Sequence, residues 1–306
     1  MPRRSALLRP ILQLVPALLA AWLTPLSAAG PARDLDQIQA SGVLRHLGIP
    51  YANFVTGMGS GFDVELVKGF ADSLGVRYEF VDSTWSSAFG DLTGRNAQMD
   101  NTGGVQWRDE VPIRGDILAS GVTILPWRQE IADFSAPTFP TGVWLVARAE
   151  TDLNPIQPSG STQRDIEEVR SALHGRTVLA MEDTCLDPDL YRLRDTGATV
   201  ILPKQDIKLN EIAPAILNAE ADMALLDVPD ILIALEKWPG QLKVIGPISE
   251  HQFMGAAFRK DSPRLRQAFN DYLERIRHDG TYHNLVKKYF ATVFPYYSEF
   301  FQPPPD

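Results

Sequence analysis

VLRHLG (residues 43–48), GFDVELVKGFADSLG (61–75) and VRYEFV (76–81) decide the architecture. The first reads as a short strand ending in a turn. In the second, Leu66, Val67, Phe70, Ala71 and Leu74 recur at helical spacing, with Asp63 as the expected N-cap and Gly75 as the stop. The third is the next strand. Strand, helix and strand in this order form a β–α–β unit, which implies a parallel sheet covered by helices.

Working outward, residues 93–112 are polar and weakly patterned and read as a loop excursion. Ile117–Ala119 and Val143–Ala147 are strand-like. Residues 150–165 carry Pro, Gly and Ser and read as a surface loop. Thr177–Met181 opens a second β/α series, continued by strands at Thr199–Leu202 and Met223–Leu226. Leu265, Phe269, Leu273 and Ile276 mark a helix. Asp279-Gly280-Thr281 breaks it before another from His283 to Phe290. Pro303 to Pro305 are expected to fray. There is no internal repeat.

The chain has 306 residues, which suggests two domains. Apolar residues make up 44% and charged residues 22%, the balance of a globular protein rather than a polytopic membrane chain. A net charge of −9 gives no support to nucleic-acid binding. One cysteine excludes an internal disulfide, and no Cys/His set suggests a zinc site.

Residues 1–29 have Arg3, Arg4 and Arg9, then an apolar stretch from Ile11 to Leu26, then Ser27-Ala28-Ala29. This is the layout of a cleaved signal peptide, and Pro16 and Pro25 interrupt it too often for a membrane anchor. The expectation is a soluble exported protein, periplasmic in a Gram-negative cell. Its mature chain would carry 26 basic against 38 acidic side chains, a charge of −12.

Five stretches carry a resemblance: LRHLGIPYANF (44–54), GFDVELVKGFADSLGV (61–76), GDILASGVTILPWRQEIADFSAPTF (115–139), ADMALLD (221–227) and SPRLRQAFNDYLERIRHDGTYHNLVKKYF (262–290). Together, and in this order, the chain resembles the family 3 extracellular solute-binding proteins, the polar amino-acid receptors of ABC importers. The resemblance implies an α/β, two-lobed periplasmic-binding-protein fold of type II-like topology, with a ligand cleft between the lobes. Lobe 1 would be residues 30–140 and 254–306, holding both mature termini, and lobe 2 residues 141–253. Two hinge crossings are expected near Phe139–Val143 and Phe253–Gly255. The implied partners are a small polar, amino acid-like ligand and a permease in the inner membrane. The protein would act as a monomer, with no metal or organic cofactor.

A site for a free amino acid needs a planar cation, an anion, hydroxyl or backbone donors and an apolar wall. By resemblance, Arg128 forms a two-bonded clamp on the ligand carboxylate. Thr123 and Ser120 match positions near that carboxylate, although each hydroxyl also suits a turn bonding its own backbone. Gly121 allows close backbone approach. Asp227 ends an apolar strand, where ligand crevices lie in open α/β sheets. It is matched to the ligand ammonium, and Val228-Pro229 makes it equally suited to cap a helix. Tyr51 covers the aliphatic part of the ligand. Phe80 is either the opposite wall or core, and Trp85 packs beneath the site.

The second lobe departs from the family at Asp183-Thr184-Cys185, where a Gly-Ser/Thr-Thr turn is usual. Thr184 is expected to cap a following helix. Asp183 adds an anion, which either pairs with a cationic ligand or caps that helix facing solvent. Cys185 is either a pocket contact, open to oxidation, or a small buried residue.

Two other classes compete. A secreted cyclohexadienyl dehydratase would need an acid/base pair, for which Glu182, Asp183, Lys204 and Asp206 are conceivable. A lytic transglycosylase would need a catalytic module, and none is expected after Phe290. An orphan sensor or accessory binding protein would act through a separate partner.

Overall fold

A computed structural model describes residues 33–57, 59–203 and 208–302. The expected signal peptide, the fraying prolines, Lys204 and Asp206 lie outside them. The chain runs through α1 (Leu35–Ser41), β1 (Val43–Gly48), α2 (Phe62–Leu74), β2 (Arg77–Asp82), α3 (Ala88–Thr93), β3 (Arg95–Met99), β4 (Val105–Glu110), β5 (Ile117–Leu118), α4 (Pro126–Ile131), β6 (Asp133–Phe134), β7 (Phe139–Thr141) and β8 (Val143–Arg148). It continues through α5 (Thr162–Ser171), β9 (Thr177–Leu179), β10 (Thr199–Ile201), α6 (Ile212–Leu217), β11 (Met223–Asp227), α7 (Val228–Lys237), β12 (Leu242–Pro247), β13 (Gln252–Met254), β14 (Ala257–Phe258), α8 (Pro263–His278), α9 (Thr281–Phe290) and α10 (Ser298–Phe301).

Two five-stranded sheets result, in the orders β2-β1-β5-β14-β6 and β10-β9-β11-β8-β12. In the first, β1 runs parallel to β2 and β5, as the β–α–β unit requires. In the second, β9 is parallel to β10 and β11, while β8 is antiparallel to β11 and β12. The chain leaves the first sheet through β7 and returns to it through β13. These two crossings pair antiparallel, with Phe139 opposite Met254. This is the two-lobed architecture.

Helix boundaries follow from local chemistry. α2 ends at Gly75, whose φ of 70° is left-handed and cheap only for glycine. α8 begins with Pro263 at its first turn and buries Leu265, Phe269, Tyr272, Leu273 and Ile276, one apolar stripe at helical period. An aromatic cluster joins the crossing to the first lobe. Phe139 of β7 lies 4.7 Å from Phe290 of α9, and Phe54 lies 4.8 Å from Phe290 (ring centroids). Phe301 of α10 packs on Phe139 at 5.7 Å. Each fully buried Phe contributes about 1.5–3 kcal/mol by area.

Three expectations are corrected. Residues 93–112 are not a plain loop, because β3 and β4 pair there as an antiparallel ribbon. The 150–165 loop ends earlier, since α5 begins at Thr162. Asp63 does not cap α2. Gly61 occupies that position, and Asp63 turns inward, 3% exposed, to accept the Gly121 amide at 2.6 Å. The carboxyl is a brace between α2 and the loop after β5.

Burial raises the Asp63 pKa to about 7, against the opposing pull of the Gly121 N–H. A carboxyl raised on folding binds more protons in the native than in the unfolded state between the two values. Its contribution is therefore complete below the unfolded value of 3.8 and is lost as pH rises to about 7. Asp63→Asn keeps an acceptor for Gly121 and removes the titration. Denaturant unfolding across this window should show wild-type stability falling relative to Asp63→Asn as pH rises. A constant difference between the two proteins would refute the raised pKa of Asp63.

Candidate functional site

The loop after β5 is held at three successive residues. His46 is fully buried, and its Nε2 lies 2.7 Å from Ala119 O. A carbonyl only accepts, so Nε2 carries the proton and Nδ1 accepts from Tyr78 Oη at 2.8 Å. Burial lowers the pKa of this imidazole to about 4, which keeps it neutral. Ser120 Oγ accepts the Ile49 amide at 2.7 Å, and the Gly121 amide goes to Asp63. At Gly121, φ is +60° and a Cβ would sit 2.6 Å from the Phe54 ring, so glycine is needed for packing. The hydrogen bonds of Ser120 and Gly121 thus support the loop, which departs from the ligand contacts expected of them.

What this support positions is Thr123 and Arg128. Pro126 starts α4, which ends at Ile131 and carries Arg128 in its last turn. Arg128 is only 1% exposed. Its Nη1 donates to Thr123 O at 3.1 Å and its Nη2 to Asp183 O, from the second lobe, at 3.4 Å. The guanidinium carbon lies 5.3–6.0 Å from the Trp127, Phe89 and Trp85 rings. Arg128 Nε and Thr123 Oγ1 are buried without partners among the described residues. Burial depresses the pKa of Arg128, so a charge held here favours an incoming anion.

The opposing carboxylate comes from β11. Asp227 is 1% exposed, and its Oδ1 accepts the Asp230 amide at 3.2 Å, capping α7. Its Oδ2 accepts from Tyr51 Oη, a contact between the lobes, and from Cys185 Sγ at 3.7 Å. Burial pushes the Asp227 carboxyl up, and the hydrogen bonds from Tyr51, Asp230 and Cys185 pull it back. Tyr51 is itself buried, stacked on Phe54 and edge-on to Trp85 at 5.6 Å.

The structure therefore brings Arg128, Thr123, Tyr51, Cys185 and Asp227 together. Phe80 is turned elsewhere, edge-on to His46 and against Gly48. No helix begins near Cys185. Residues 182–192 make successive turns, with Asp183 at φ +62° and Pro188 unable to continue a helix. Thr184 Oγ1 closes a turn instead, donating to Met181 O and accepting from the Leu186 amide. Asp183 contributes its backbone carbonyl to Arg128, while its amide donates to Asp187 Oδ2. Its carboxylate forms no ion pair among the described residues. Burial raises the Cys185 thiol far above the thiolate range, which argues against a nucleophile there.

Two residues escaped the sequence reading. Tyr191 Oη donates to Cys185 O at 2.6 Å, and Gln252 of crossing strand β13 donates to Tyr191 Oη at 3.4 Å. Gln252 Oε1 is buried and unpartnered. No periodic signal marks them, because Tyr191 lies in irregular turns and Gln252 on a three-residue crossing strand.

Membrane-bound lytic murein transglycosylase F of Desulfosudis oleivorans is 24% identical over 76% of this chain, which spans only 44% of that relative. The L-cystine-binding protein TcyJ of Escherichia coli K12 is 25% identical over 76% of this chain and 74% of its own. Among solved structures, a mutant of ArgBP from T. maritima superposes with a TM-score of 0.64 at 25% identity, covering 84% of this chain and 99% of that one. The family model for bacterial extracellular solute-binding proteins, family 3, matches residues 113–292, more than half of the chain. This protein belongs to that family.

Proposed function

We propose that the protein is a periplasmic receptor that encloses one amino acid-like zwitterion and delivers it to an ABC importer. The observation that carries this is the pair formed by Arg128, on α4 of the first lobe, and Asp227, at the end of β11 in the second. Both are 1% exposed and both act on the Cys185 thiol between them. A guanidinium clamps a carboxylate with two parallel bonds, and a carboxylate accepts from an ammonium. Thr123 Oγ1, Arg128 Nε and Gln252 Oε1 supply further unspent polar atoms.

In this reading residues 30–140 and 254–306 move as one body and 141–253 as the other, hinged at β7 and β13. Ligand binding shifts the population towards the closed state, and no bond is made or broken. Export to the periplasm rests on the basic and apolar start of the sequence. No helix among the described residues is long and apolar enough to cross a membrane. The transglycosylase relative makes an enzyme the competing reading. Against it, the buried thiol is held protonated, and Asp227 is already bonded to Tyr51.

A thermal-shift screen of amino acids, followed by titration calorimetry, identifies the ligand. Arg128→Ala should then weaken it by roughly 2–5 kcal/mol, as loss of a buried charge-assisted pair does. Arg128→Lys should lose much of the same, because an ammonium lacks the planar fork. Affinity of Arg128→Ala within about threefold of wild type, a difference under ~1 kcal/mol, would overturn the assignment.

Closure is open to small-angle scattering. Saturating ligand should give a more compact particle than the free protein. An unchanged radius of gyration counts against closure on binding, unless the free protein is already closed.

A further inference from the structure

Beyond α9 the chain crosses from one lobe to the other. Ala291–Val293 form one turn of 3-10 helix that passes alongside α7 of the second lobe, and the chain then turns back through Pro295 into α10. Its end is anchored on the first lobe and at the hinge. Phe301 is buried against Phe139, Tyr282 and Phe294. Phe300 stacks on Phe253 of β13 at 5.9 Å, with the Arg277 guanidinium 5.5 Å from its ring centroid. The backbone hydrogen bonds of Tyr296, Tyr297, Phe300 and Phe301 all close within the segment. Its hold on the second lobe comes from rings.

Tyr296 and Tyr297 lie over a cavity of about 300 Å³, walled by Val228, Ile231 and Leu235 of α7 and by Trp144 of β8. Tyr297 is half-buried, edge-on to His251 at 6.0 Å. Tyr296 is 65% exposed, the most of any large apolar side chain among the described residues. An apolar cavity of about 150 Å³ accepts a benzene ring, so this one has room for the ring of Tyr296. Seating the ring there removes apolar surface from water.

The place of the segment at the hinge gives that movement a direction. Successive strand residues point to opposite faces, so Gln252 and Phe253 look opposite ways from β13. Gln252 reaches Tyr191, which leads to Cys185 in the site, whereas Phe253 meets Phe300. The segment therefore lies on the side of the crossing turned from the cleft. In this structure the lobes touch across the cleft, through Tyr51 and Asp227 and through Arg128 and Asp183 O. Two bodies hinged at a crossing cannot part on one side without approaching on the other. Opening of the cleft brings Tyr296 towards α7, and the cavity is the space it enters.

We infer that residues 291–301 are a strap behind the hinge, and that Tyr296 seats in the cavity on α7 when the cleft opens, which holds the free protein open. This rests on the two-body receptor reading above. Asp227 caps the same helix, so strap and ligand act on one element from opposite sides of the crossing.

Two variants of opposite volume provide the test, and neither alters a cleft residue. Tyr296→Ala removes the ring that seats. Leu235→Trp fills the cavity from α7. Each free variant should have a smaller radius of gyration than free wild type in small-angle scattering. Each should also bind more tightly, by about threefold or more, the one of the twenty L-amino acids that gives wild type its largest thermal shift. Tyr296→Phe, which keeps the ring, should match wild type in both measurements. A segment that only fills space predicts unchanged or weaker binding. Wild-type dimensions and affinity in both variants, or weaker binding in both, would overturn the strap. If one variant fails to melt cooperatively, the other carries the test. If folded wild type binds none of the twenty, the amino-acid receptor reading falls; compaction of the free variants then still supports the strap, and its absence overturns it.

Discussion

A guanidinium buried beneath three aromatic rings governs the rest of this structure. Arg128 has carbonyl oxygens for acceptors and no carboxylate among the described residues within ion-pair reach. Burying an unpaired charge costs several kcal/mol. The chain meets that cost with architecture. His46, Ser120 and Asp63 fix three consecutive residues of the preceding loop, so Thr123 O stands where an Arg128 nitrogen needs it. The second acceptor, Asp183 O, belongs to the other lobe. Satisfying this one cation therefore already requires both lobes. The remaining deficit is a preference for an anion.

The hinge makes that demand mechanical. β7 and β13 are three residues each and pair with one another, and Met254 of β13 also bridges to Thr123. The aromatic cluster around Phe139 fixes one end of the crossing to the first lobe. Gln252, on the other crossing, reaches Tyr191 in the second. Within the second lobe, Gln252, Tyr191 and Cys185 form one hydrogen-bonded chain that leads to Asp227.

Much of the fold was legible because it rests on local periodicity. α2, α8 and the strands of both sheets present apolar residues at the spacing their geometry buries. The elements that escaped lack this signal for physical reasons. β4 is exposed along nearly its whole length, so no face is apolar and no alternation appears. α5 buries only Asp165, Ile166 and Val169 in ten residues, too narrow a stripe to read against a polar background. In the site, Arg128 and Asp227, named from resemblance, lie on regular elements or their ends and are both buried. Asp183 and Thr184 were misjudged because a helix was assumed where Pro188 and a left-handed residue enforce turns. Gln252 reaches the site through a crossing strand, and Tyr191 through the irregular turns after Cys185, and neither relation has a periodic signature in the sequence.

Tyr51 supplies the last step. Its hydroxyl takes a place on Asp227 Oδ2 that an ammonium would also take, and it spans the same gap between lobes. A neutral hydroxyl satisfies the buried carboxylate with a weaker bond than a charged donor does. The lobes can thus meet around Asp227 with a protein group standing in for the ligand, at a modest gain that a true ammonium exceeds. On the receptor reading proposed above, recognition at this end is an exchange of donors and not the filling of a bare charge. At the Arg128 end no acidic side chain stands in for the carboxylate among the described residues, and only backbone oxygens do. On the receptor reading proposed above, this asymmetry makes the carboxylate end the larger contributor to the differential affinity for the closed state, since the ammonium end must first displace a bond already made.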